Sequence, residues 1–117
     1  MADKIRIYHN PRCSKSRQTL ELLQDKHLQP DIIEYLNTPP SMAELERILK
    51  MLGLQARQLL RTKEIEYKEL GLDNPELSNQ HLIKVMVDHP KLIERPIVVY
   101  KGKAAIGRPP EAVLEIL

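Results

Sequence analysis

The chain has 117 residues, the size of one domain that can bury roughly two-thirds of the surface of its unfolded form, so a core needs no metal or disulfide staples. Its 18 Lys and Arg against 16 Asp and Glu leave a net charge of +2, scattered without a block of like sign, and its only aromatic residues are four tyrosines, which excludes a basic nucleic-acid stripe and a base-stacking platform. A single cysteine excludes an internal disulfide, no stretch approaches about 18 apolar residues, and Met1 to Ile7, with Asp3, Lys4 and Arg6, lacks the apolar run of a signal peptide, so the expectation is a cytoplasmic protein bound to neither nucleic acid nor membrane.

Ile5 and Ile7 alternate with Lys4, Arg6 and Tyr8 as in a half-buried strand, and His9-Asn10-Pro11-Arg12 breaks that pattern into a loop. Leu20, Leu22 and Leu23 then fall at helical spacing up to about Lys26, with Ser14 or Ser16 as the cap. Cys13 therefore lies where a strand hands over to a helix. Asp31 to Tyr35 reads as a second short strand, parallel to the first, closed by Asn37-Thr38-Pro39-Pro40. Ser41 and Glu44 form a capping box ahead of Leu45, Ile48, Leu49 and Leu52, and Gly53 ends that helix. More helix is expected from Leu54 to about Leu60, and again from Ser78 through Leu82, Ile83, Val85 and Met86 to the stop at His89-Pro90. Ile97 to Tyr100 is the most apolar strand, turned by Lys101-Gly102 into an antiparallel partner from Lys103 to Ile106, and Gly107-Arg108-Pro109-Pro110 opens a last short helix. This order implies an α/β fold, a mixed sheet with helices on its faces, in one domain without repeats or linkers.

A helix N-terminus gathers unpaired backbone N–H groups and a partial positive charge, so a cysteine placed there has its thiolate stabilised, and the thiolate is the nucleophile. The N–H groups of residues 14 to 17 are equally a ready anion site, with Arg12, Lys15 and Arg17 adding charge beside it. His9 and the hydroxyl of Ser16 are candidates to tune the thiolate, and Ser14, Lys15, Ser16 and Arg17 are candidates to hold an oxyanion. A lone cysteine is most often a small buried hydrophobe. The polar flanks Arg12, Ser14 and Lys15 argue against that here. The four histidines, His9, His27, His81 and His89, show no ligand spacing, so no metal is expected.

The run Ile7-Tyr8-His9-Asn10-Pro11-Arg12-Cys13-Ser14-Lys15-Ser16-Arg17 resembles the opening of the glutaredoxin-coupled arsenate reductase (ArsC) family. Arg61-Thr62-Lys63-Glu64 with Tyr67 and Leu70-Gly71-Leu72, then His89-Pro90 with Leu92 to Val99, then Ile106 to Glu111 resemble that family in its own order. The resemblance implies a thioredoxin-like fold over residues 1–117 with a helical insertion at about residues 41 to 92. It implies a cysteine nucleophile and three oxyanion-binding arginines, which by position are Cys13, Arg61, Arg95 and Arg108. It also implies reduction of arsenate or a similar oxyanion, glutathione as co-substrate, glutaredoxin as partner and no bound cofactor. Pro96 falls where thioredoxin-like proteins place a cis-proline facing the active cysteine. The alternative is a protein-binding regulator like the Spx group, with a vestigial or thiol-sensing site. Those regulators commonly carry a second cysteine where this chain has Ser16.

Overall fold

A four-stranded sheet carries the Cys13 loop in the structure, a computed structural model that describes residues 4–117. Strands β1 (Arg6–Tyr8), β2 (Asp31–Ile33), β3 (Ile97–Tyr100) and β4 (Lys103–Ile106) lie in the order β2-β1-β3-β4. β1 pairs with β2 in parallel and with β3 antiparallel, and β3 pairs antiparallel with β4. The sheet is mixed and the fold is α/β, as the order of elements implies. Ile7 and its neighbour Tyr8 are both buried, where alternation predicted an exposed Tyr8. Successive strand residues point to opposite faces, so both faces of this interior strand are covered.

The residues up to Thr38 and Arg95–Leu117 form one compact unit, and Pro39–Glu94 forms a second. In the first, helix α1 (Ser14–Asp25) joins β1 to β2, and Leu23 packs in a core with Ile5, Ile7, Val98 and Val113. The helix begins one residue earlier than a serine cap would require, because Cys13 itself takes the extended N-cap conformation, at φ −95° and ψ 124°. Ser14 and Ser16 are inside the helix. The predicted last helix is a 3₁₀ helix, Pro110–Ile116, following the proline pair. The Arg95–Pro96 peptide bond is cis, as expected, and so is Arg108–Pro109.

In the second unit, Ser41 accepts from the N–H of Glu44 at the start of α2 (Met42–Leu52), and Gly53 closes the helix at φ +69°, a conformation that favours glycine. Helix α3 (Ala56–Leu59) carries a capping box of Gln55 and Gln58, and Ser78 caps α5 (Asn79–Asp88). Buried Leu45, Ile48 and Leu49 of α2 and Leu82, Ile83 and Met86 of α5 make the packed faces. Helix α4 (Ile65–Glu69) escapes the periodicity argument because it buries no residue, and Ile65 is 69% exposed. Without an apolar face there is no pattern to read. Among the described residues, no helix is long and apolar enough to cross a membrane, and no cluster of three or more His, Cys, Asp and Glu is placed to hold a metal.

Candidate active site

β1 delivers the chain into a loop that folds back on the first turn of α1. The Asn10 carbonyl accepts from the N–H of Cys13 at 3.0 Å, and the Asn10 side-chain oxygen accepts from the N–H of Arg12 at 3.0 Å. Buried Ser16 ties the other side: its hydroxyl accepts from the N–H of Asn10 at 3.0 Å and lies 2.7 Å from His9 Nδ1. Burial holds the His9 pKa down, Glu34 opposes this, and Arg17 adds to it. A neutral ring accepting at Nδ1 suits the pattern, since a hydroxyl that receives from Asn10 still has its own proton to donate. The Ser16 hydroxyl is thus engaged by His9 and Asn10, and both side chains brace the loop.

Four groups converge on the sulfur of Cys13, a residue only 8% exposed. Burial by itself pushes the thiol pKa up. The N–H of Ser16, the guanidinium of Arg95 and the N–H of Lys15 outweigh it, and the net shift is downward. The sulfur makes no conventional capping hydrogen bond to α1, yet it lies close enough to those N–H groups for them to favour its anion. Arg108 Nη2 donates to Cys13 Sγ at 3.5 Å, while its Nε donates to the Arg95 carbonyl at 2.8 Å. The second bond ties the Arg108 fork to the backbone just before Pro96.

Cys13, Arg95 and Arg108 are therefore together in one unit. Arg61 belongs to the other, where its Nη1 donates to Glu94 at 2.6 Å and its Nε to Glu64 at 3.2 Å, fixing the plane of the guanidinium. Ser14, Lys15 and Arg17 are exposed on the first turn of α1, and Arg17 Nη1 donates to the Pro11 carbonyl at 3.0 Å.

Gly107 is a positioning residue that residue chemistry alone does not single out. Its N–H donates to the Pro96 carbonyl at 2.9 Å, and a Cβ there would stand 2.8 Å from Pro96 Cγ and closer still to buried Thr19 Oγ1. Gly107→Ala is expected to overpack this contact and cost about 1–3 kcal/mol. Denaturant unfolding checks this, and an unchanged midpoint would show that the loop before Arg108 yields freely.

The ArsC family profile matches residues 8–116. The chain is 57% identical to the uncharacterized protein YfgD of Escherichia coli K12, over 100% of this chain and 99% of that one. It is 56% identical to the arsenate reductase of Haemophilus influenzae, over 95% of this chain and 97% of the relative. Among solved structures, the arsenate reductase from Vibrio cholerae superimposes with a TM-score of 0.96 at 54% identity, covering 100% of both chains.

Proposed function

The chain belongs to the ArsC family, and from that premise we propose that it is an arsenate reductase whose nucleophile is Cys13 and whose electrons come from external thiols. The observation that carries the reading is the convergence of Arg95, Arg108 and the first-turn N–H groups on one depressed thiol. Such a site draws a thiolate and an oxyanion to the same point, and arginine offers a planar fork to a tetrahedral oxyanion without losing its charge.

In this mechanism the Cys13 thiolate attacks arsenic and an oxygen leaves as water, forming a sulfur–arsenic bond. Arg95 and Arg108 balance the anionic substrate and the charge on the departing oxygen as preorganised donors. By its position in the family's order Arg61 is assigned as the third oxyanion arginine, and the first-turn residues Ser14, Lys15, Ser16 and Arg17 contribute N–H groups and positive charge. Glutathione supplies the second thiol. Arsenic(V) gains two electrons and departs as arsenite, while the two sulfurs lose them and are joined as a Cys13–glutathione disulfide. A glutaredoxin thiolate then attacks the glutathione sulfur, and Cys13 leaves readily because its pKa is low. Thiols carry every electron in this scheme, so no metal or bound organic cofactor enters it, and reduced glutathione and glutaredoxin place the reaction in the cytoplasm.

The test is arsenate-dependent NADPH oxidation with glutathione, glutaredoxin and glutathione reductase. Turnover is expected with all components present and none when glutathione and glutaredoxin are left out.

A further inference from the structure

Beside the Cys13 loop lies a cleft of about 310 Å³, walled on one side by Asn10, Pro11 and Arg12 and on the other by Glu34, Leu36 and Asn37. Its size falls at the lower end of small-molecule sites, which run from about 300 to 1,000 Å³. We propose that this cleft is the subsite for the thiol-bearing peptide co-substrate, with Arg12 receiving a carboxylate and Glu34 an ammonium group. The proposal rests on the reading that glutathione is the external thiol, and adds where the tripeptide lies.

Four features favour a zwitterionic peptide over a second oxyanion. Arg12 and Glu34 are both exposed, and among the described residues neither makes an ion pair. One free charge of each sign matches glutathione, which has two carboxylates and one ammonium group at neutral pH, whereas Glu34 would repel an arsenate dianion. Leu36 is 36% exposed on the same wall, an apolar surface for peptide methylenes. Finally, Arg12 directly precedes Cys13 in the chain and His9 to Arg12 line the cleft, so a peptide anchored there lies against the loop that carries the nucleophile. Glu34 is also close enough to His9 to act on its ring, which places that wall against the same loop.

Arg12→Glu and Glu34→Lys reverse the two anchors. Each removes a charge-assisted hydrogen bond and leaves repulsion in its place, so the KM for glutathione should rise about tenfold or more in either variant. The KM for arsenate should rise by a clearly smaller factor than the KM for glutathione in both variants, because Arg12 lies beside the anion site and Glu34 on the far wall of the cleft. Equal rises in both KM values would make Arg12 an oxyanion residue, and unchanged values in both variants would leave the cleft without a role; either overturns the proposal. Binding of S-methylglutathione, followed by amide chemical shifts of the wild-type chain, separates this question from turnover. Shifts confined to residues 9–12 and 34–37, and lost in Arg12→Glu, support the subsite even if glutathione proves not to drive the reaction. Shifts elsewhere, or none, with glutathione-driven turnover intact would sink the subsite and leave the proposed function standing.

Discussion

Cys13→Ser is expected to abolish arsenate-dependent NADPH oxidation. A serine hydroxyl is not ionised near neutral pH and cannot close a disulfide with glutathione, so neither the attack on arsenic nor the transfer of electrons has a substitute. Removing the nucleophile of a covalent mechanism can cost on the order of 10⁶ in rate, which would put turnover at background. The fold should survive, because serine is smaller than cysteine and the backbone bonds of the residue, Cys13 N–H to the Asn10 carbonyl and Arg17 N–H to the Cys13 carbonyl, do not involve the sulfur. Circular dichroism and the coupled assay on one preparation check both halves. Turnover retained by a folded Cys13→Ser chain would place the chemistry elsewhere.

The next largest effect is expected from Arg95→Leu and Arg108→Leu. Each removes a charge-assisted donor from the proposed anion site, and losing one donor of a preorganised site is typically worth on the order of 10²–10³ in rate. Arg95→Leu carries a second signature. Burial raises the Cys13 pKa, but the N–H groups of Ser16 and Lys15 and the guanidinium of Arg95, which acts both as a hydrogen-bond donor and as a charge, outweigh it, so the wild-type thiol ionises below its ordinary value. Between the lowered value and the ordinary one, the wild type is thiolate and alkylates fast. Without Arg95 the ionised form is less favoured, so the midpoint of the alkylation rate against pH must move up and alkylation at neutral pH must slow. Iodoacetamide rates across pH measure this. A midpoint unmoved by the substitution would separate Arg95 from the thiolate.

Much of this site is written in local sequence. The break at Asn10-Pro11 and the apolar spacing from Leu20 onward place Cys13 between strand and helix, and the hairpin from Ile97 to Ile106 appears with the predicted bounds because a strongly apolar run meets a Lys-Gly turn. The N-cap is harder to read, since cap preference points to Ser14 or Ser16. Ser16 is drawn inward instead by His9 and Asn10, a contact across six to seven residues that no local rule contains. Gly107 is likewise invisible locally: its φ is ordinary, and its need for a bare Cα arises from Thr19 and Pro96, both distant in the chain. Helix α4 has no buried face to give it a period. The arginines stand apart from all of these, because Arg95 and Arg108 read singly as solvated surface and acquire a role only through family order and their common aim at one sulfur.

With one cysteine in the chain, the second thiol of a two-electron reduction must come from outside. Intact-mass spectrometry after exposure to arsenate and glutathione, with glutaredoxin left out, therefore tests the central claim most directly. The wild-type chain is expected to accumulate one glutathione on Cys13 only when both reagents are present, and Cys13→Ser should stay unmodified. A wild-type chain that turns over arsenate yet never carries that adduct, or that passes through an obligatory disulfide-linked dimer, would contradict the external-thiol mechanism.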